Sequence, residues 1–216
     1  MVSRRFDCSD AKERAEGLRF AGAALRRGEL VVLPTDTVYG VAADAFGPDA
    51  VARLLKAKGR GRDMPVPVLV GSARTLDGIV AELPAAGTSL VEAFWPGALT
   101  LVCRSQPSLA WDLGDARGTV AVRMPLHPVA LELLRVVGPT AVSSANRSGR
   151  PPATTADEAQ EQLGDSVSCY LDGGPSLVGE ASSIVDLTGP VPTLLRAGAL
   201  GADVLREVVP DLEVAP

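Results

Sequence analysis

Apolar positions first recur at helical spacing between Asp10 and Arg27, where Ala11, Ala15, Leu18, Gly22 and Leu25 share one face. Asp10 with Glu13 resembles a capping box, and Gly28 supplies a C-terminal stop. A short apolar run, Leu30 to Leu33, then reads as a strand closed by Pro34. Helical patterns follow over Pro48 to Lys58, Ser72 to Leu83 and Pro84 to Phe94, with Val66 to Val70 as a strand among them. Ala98 to Cys103, Thr119 to Arg123 and Thr140 to Ser143 read as strands, and Val129 to Val137 as a helix. Thr155 with Glu158 caps a helix running through Leu163. Val167 to Leu171, Ser183 to Leu187 and Thr193 to Leu195 complete the strands, and Gly201 to Val208 is a last helix. Helices and strands are interspersed without strict alternation, so the pattern predicts an α/β fold with a mixed sheet.

The 216 residues fit one domain, 1–216, with no repeat and no clear linker. Aromatics are 4% of the chain, so the core rests on Val, Leu and Ala. No apolar run approaches the roughly 18 residues that span a bilayer, and Met1 to Asp10 lacks a signal-peptide core, so no membrane association is expected. Cys8, Cys103 and Cys169 are far apart and form no metal or redox pair; reduced thiols in the cytoplasm are the simplest expectation. A net charge of -5 weighs against a generic nucleic-acid coat protein.

The chemistry on offer is restricted. His127 is the one histidine, set between prolines in Leu126-His127-Pro128 with no nucleophile signature nearby, so it reads as a loop residue bonded to backbone. Zinc spacing, a Walker A loop and Gly-x-Gly-x-x-Gly are all absent. A phosphorylated ligand would therefore be held by cationic side chains and hydroxyl-rich loops.

Four segments could supply them. Residues 53–62 hold five cations and no acid, and Lys58, Arg60 and Arg62 alternate with glycines. If extended, those three point to one side and suit a triphosphate or pyrophosphate; a solvated basic loop touching RNA is the equal alternative. Thr35, Asp36 and Thr37 follow a buried strand, as ligand-binding or as ordinary turn groups. Ser143, Ser144 and Asn146 likewise follow the strand from Thr140. Thr119 and Arg123, four apart, share a strand face, while Ser182 and Arg196 flank two further strands. An arginine there could clamp a carboxylate or sit in a surface ion pair.

Taken together, these segments resemble the YrdC-like threonylcarbamoyl-adenylate synthase family. The resemblance runs from about Gly17 to about Gly198. It rests on Leu-Pro-Thr-Asp-Thr-Val-Tyr-Gly (33–40), Lys-Gly-Arg (58–60), Trp-Pro-Gly-Ala-Leu-Thr (95–100) and Val-Ala-Val-Arg-Met-Pro-Leu-His-Pro (120–128). Ser-Ala-Asn-Arg-Ser-Gly (144–149) and Leu-Arg-Ala-Gly (195–198) complete it. The chain departs from the family at Gly61, Ala98, Ser183 and Pro152-Ala153, where a hydroxyl is lost, and none of these removes a central charged group.

The resemblance implies a twisted mixed sheet flanked by helices around an open central cavity, in the short form of the family. It implies condensation of ATP, bicarbonate and L-threonine to threonylcarbamoyl-AMP and pyrophosphate, with Mg2+ accompanying the ATP. The product would go to a separate tRNA threonylcarbamoyl-transferase complex. By the same resemblance, Lys58 and Arg60 are catalytic and, with Arg62, hold the phosphates. Thr119, Ser144, Asn146 and Arg196 complete the ATP site. Thr35, Arg123, Ser182 and the backbone at Val142 line the threonine pocket, and no protein metal ligand is assigned. A non-catalytic RNA-binding module and a carbamoyl-transfer enzyme on the same fold are the alternatives, and weak RNA binding stays open beside the main reading.

Overall fold

The computed structural model describes residues 3–215. It begins with β1 (Arg4–Asp7), α1 (Ala11–Arg26), β2 (Val31–Leu33), β3 (Gly40–Asp44), α2 (Pro48–Lys58) and β4 (Val68–Leu69). The middle of the chain forms α3 (Leu76–Ile79), α4 (Ala85–Phe94), β5 (Leu99–Arg104), β6 (Thr119–Arg123), α5 (Pro128–Val137) and β7 (Thr140–Ser144). It ends with α6 (Ala156–Leu163), β8 (Cys169–Asp172), β9 (Ser183–Asp186), β10 (Thr193–Arg196), α7 (Ala202–Arg206) and β11 (Glu213–Val214). All the strands join one mixed sheet in the order β1-β8-β2-β3-β7-β4-β6-β5-β9-β10-β11. No helix among the described residues is long and apolar enough to cross a membrane.

Local chemistry sets the element ends. Asp10 accepts hydrogen bonds from the N–H groups of Lys12 and Glu13, closing the start of α1. The Glu13 carboxylate accepts from the N–H of Asp7 and so ties the helix to β1. Gly59 ends α2 in the left-handed conformation, φ 63°, as its lack of a Cβ permits. At the other capping box, Thr155 accepts from Glu158 N–H, and the Glu158 carboxylate accepts from Thr154.

Strand periodicity divides the core. Val31 and Leu33 of β2, Ala42 of β3, and Cys169 and Leu171 of β8 face one apolar cluster with α1 and α5. Val32, Val41, Ala43 and Tyr170 face the opposite cluster, with Val51 and Leu54 of α2 and Ala159 and Leu163 of α6. This part of the sheet is therefore buried on both sides. Further along, Val120 and Val122 of β6, Leu99, Leu101 and Cys103 of β5, and Val185 of β9 still face the second cluster. Their alternates Thr119, Ala121, Arg123, Thr100, Val102 and Ile184 line an open cavity instead.

Four differences from the sequence pattern concern β1, β3, β11 and α3. Strands β1, β3 and β11 lie where no strand was expected. The expected helix over 72–83 is a 3-10 turn at Ala73–Thr75 followed by α3, and Val80 has already left it to form a bridge with Ser105.

Candidate active site

The cavity has a volume of about 400 Å³ and is floored by β7, β4, β6, β5 and β9. Topology brings the two hydroxyl-rich loops to it. Strand β2 turns through residues 34–39 into β3, and β3 pairs antiparallel with β7, Gly40 opposite Ser144. The loop that precedes β3 and the loop that follows β7 therefore emerge side by side. Gly40 is required there, because a Cβ would fall 2.6 Å from Val142 Cγ1.

Arg60, Arg123 and Arg196 line the cavity, and no carboxylate does. Arg60 donates from Nη1 to Ser143 Oγ at 3.2 Å, and its Nε is buried without a partner. Arg196 donates to the Ser182 carbonyl at 2.7 and 3.1 Å. Neither has an ion-pair partner among the described residues. Burial pushes the pKa of both below the usual arginine value; at Arg60 the Asp63 charge opposes that shift and the Arg196 charge adds to it. Two partly dehydrated cations side by side favour a polyanion between them.

Arg123 is different. Its Nη2 meets Asp36 Oδ1 at 2.6 Å, Nη1 donates to Thr37 Oγ1 at 2.7 Å, and Nε donates to the Gly97 carbonyl at 2.8 Å. Arg123 and Asp36 are 6% and 4% exposed, so the pair is a buried one. Burial lowers the pKa of Arg123, and the Asp36 charge opposes that shift.

Eight of the residues given site roles by the family resemblance line this one cavity: Thr35, Arg60, Thr119, Arg123, Val142, Ser144, Ser182 and Arg196. The N–H of Val142 is committed to the Pro67 carbonyl, leaving its side chain toward the cavity. Ser182 Oγ and Thr100 Oγ1 are hydrogen-bonded at 2.8 Å.

Lys58, Asn146 and Arg62 do not line it. The Lys58 ammonium is buried and donates to the carbonyls of Ser144 and Asn146 at 2.5 and 2.8 Å, and to Asn146 Oδ1 at 3.3 Å. Burial, then the charge of Arg60, pushes its pKa down to about 8. Asn146 Nδ2 donates to the carbonyls of Arg147 and Arg150. Both residues thus hold the shape of the loop that presents Ser144. Arg62 points away and grips Asp112 at 2.7 and 3.0 Å. The expected one-sided array of Lys58, Arg60 and Arg62 fails because 58 is still helical and Gly59 reverses the backbone.

The sequence places Thr37 and Ser143 in hydroxyl-rich turns without giving either a role, and it leaves Thr100 unmarked. All three stand in quoted or predicted segments, and strand alternation from Val102 back to Thr100 would have put Thr100 on the cavity face. The apolar wall of Pro65, Val66, Pro67 and Leu113 carried no signal, since the Val66 N–H to Leu113 carbonyl bond that builds it joins distant loops.

His127 precedes α5 and its carbonyl accepts from Leu131 N–H. Its Nδ1 is buried without a partner rather than bonded to backbone as expected, and burial lowers its pKa. The thiols of Cys8, Cys103 and Cys169 are buried and pushed up to about 11, 12 and 12. They stay protonated at neutral pH and are poor nucleophiles. Residues 172–181 lie across the 35–37 turn: Val178 N–H donates to the Asp36 carbonyl and Gly179 N–H to that of Thr37.

Fold and site define an α/β protein whose open cavity, lined by arginines and hydroxyls, is suited to anionic small molecules. A family model described as Sua5/YciO/YrdC, telomere recombination, matches residues 23–198, and the chain belongs to that family. A Mycobacterium tuberculosis relative, provisionally named a threonylcarbamoyl-AMP synthase, is 58% identical over 96% of each chain. The threonylcarbamoyl-AMP synthase of Pyrococcus abyssi is 37% identical over 96% of this chain and 62% of its own length. The structure of P. abyssi Sua5 complexed with L-threonine superposes with a TM-score of 0.93 at 35% identity, covering 100% of this chain and 63% of that one. The chain thus spans under two thirds of the archaeal protein.

Proposed function

We propose that this chain is a nucleotidyltransferase that condenses L-threonine, bicarbonate and ATP into threonylcarbamoyl-AMP and pyrophosphate. The observation that carries the reading is the pair Arg60 and Arg196, two arginines with no ion-pair partner among the described residues, facing one cavity beside the ion-paired Arg123. The names of the relatives support the same activity.

In this reading the threonine amine adds to carbon dioxide derived from bicarbonate, giving a carbamate and releasing a proton. A carbamate oxygen attacks the α-phosphorus of ATP, and the bond to pyrophosphate breaks. No enzyme nucleophile takes part, in keeping with protonated thiols and a buried His127. The protein positions two substrates and neutralises charge. Arg60 and Arg196 meet the phosphates. Arg123 meets the threonine carboxylate, near Ser182 and the side chain of Val142. Thr119 and Ser144 complete the nucleotide side. Lys58 and Asn146 act at one remove, by holding the Ser144 loop. Arg62 holds a neighbouring loop through Asp112.

Magnesium would travel with ATP. No carboxylate lines the cavity, and no group of three or more metal-binding side chains occurs among the described residues. The donor set therefore does not fit a protein-held ion, and no step is assigned to one. Transfer of the product to a tRNA-modifying complex in the cytoplasm belongs to the same proposal, as does a single synthase domain over 1–216.

Mass spectrometry of the reaction mixture tests the reading. A threonine-derived carbamoyl group joined to AMP is the expected product. AMP and pyrophosphate with no such adduct would overturn it.

A further inference from the structure

The Thr35 hydroxyl has one proton, and it goes to the Val38 carbonyl at 2.6 Å. A carbonyl cannot donate, so Thr35 can only accept across its 3.0 Å contact with Thr37 Oγ1. It also accepts from the Thr37 N–H at 3.2 Å. With one donor and two acceptor positions filled, the Thr35 hydroxyl has nothing left for a ligand.

The direction of the chain is thereby set. Thr37 donates its hydroxyl proton to Thr35 and turns a lone pair to Arg123, which donates to it at 2.7 Å. Thr37 is 1% exposed, so no water substitutes for either bond. Asp36 Oδ1 holds the neighbouring nitrogen of the guanidinium and also accepts from Leu126 N–H at 2.9 Å. Gly97 holds Nε. Three anchors on three nitrogens fix the guanidinium plane and leave one N–H free on each terminal nitrogen.

We infer that Thr37, which is not among the ligand-binding residues indicated by the family resemblance, is a positioning residue for the amino-acid carboxylate. It works through Arg123, seconded by Asp36. The inference rests on the proposed condensation. It makes Thr35 the anchor of a relay that ends at Arg123, with the Thr35 hydroxyl spent inside the turn. The ordered segment Thr35-Asp36-Thr37 is then one device: a buried base for a single arginine.

The test is steady-state pyrophosphate release by the whole chain with threonine and ATP varied separately, on the wild type, Thr37→Val and Thr37→Ser. Thr37→Val keeps the shape and removes the acceptor. The expected result is a threonine KM raised by about fivefold or more with the ATP KM held within about twofold. Thr37→Ser restores the hydroxyl and should return the threonine KM to within about twofold of wild type. Should Thr37→Val not fold by its thermal melt, Thr37→Ala serves the same comparison, with the same expected rise. An unchanged threonine KM in the valine or alanine variant, with threonine-dependent release in the wild type, overturns this role alone. So does an equal rise in the serine variant. No threonine dependence in the wild type overturns the proposed function and this role with it.

Discussion

The arginines on the two sides of the cavity are kept in opposite ways. Arg123 is buried against Asp36 and tied at three nitrogens, whereas Arg60 and Arg196 form no ion pair among the described residues and lean on Ser143 and Ser182. A buried charge needs compensation in the empty protein, and Asp36 supplies it. Partly exposed guanidiniums can wait for a ligand, and a polyphosphate compensates two at once. The contrast teaches that one arginine recognises by orientation and the other two act by charge.

The sharpest way to break the contrast is to remove one cation from the charged side. Arg60→Ala should lower turnover by about a hundredfold, as loss of a preorganised electrostatic donor does elsewhere. Its thermal melt should stay near wild type, because Arg60 closes no ion pair among the described residues. Steady-state kinetics and a melt check both halves. Arg123→Ala reverses the profile. It strands Asp36, so it should cost about 3–5 kcal/mol in denaturant unfolding and raise the threonine KM more than the ATP KM. Adding Asp36→Ala to it should recover part of that stability, since no buried charge is then left alone.

Lys58 gives a smaller, pH-dependent effect. Its folded pKa, about 8, lies below the ordinary 10.5. Between those values the folded protein binds fewer protons than the unfolded chain, so this group makes stability rise with pH there. Turnover should move the other way, falling above about pH 8 as the ammonium that holds the Ser144 and Asn146 carbonyls is lost. A pH–rate profile beside a pH–melting profile separates the two. Smallest of all, Arg62→Ala removes a pair that is 55% and 42% exposed. It should leave the thermal melt near wild type and turnover within about twofold.

The cavity was legible because its chemistry lies in short motifs at strand ends, and six such segments converge on it. Thr119 and Arg123 could be placed on one face by period two alone, and both do line the cavity. Strand β3 escaped notice because Gly40-Val41-Ala42-Ala43-Asp44 is buried on both faces and shows no alternation. Strand β1 was hidden by Arg4, Arg5 and Asp7, which are exposed at the sheet edge while Phe6 alone turns inward. The apparent helix over 72–83 ends early as Val80 pairs with Ser105 and Ala81 N–H donates to the Arg104 carbonyl, tertiary bonds that no local pattern encodes. Lys58 and Arg62 left the expected cation row through one backbone reversal at Gly59. The partnership of Arg123 with Asp36 spans 87 positions, so chemistry could suggest a clamp but not its counter-ion.

The measurement that bears most directly on the account is pyrophosphate release by the purified chain with ATP, bicarbonate and magnesium, with and without L-threonine, with serine and glycine as controls. Release that depends on threonine and falls away with the two controls is the predicted result. Release stimulated by another amino acid, or by none, would contradict it.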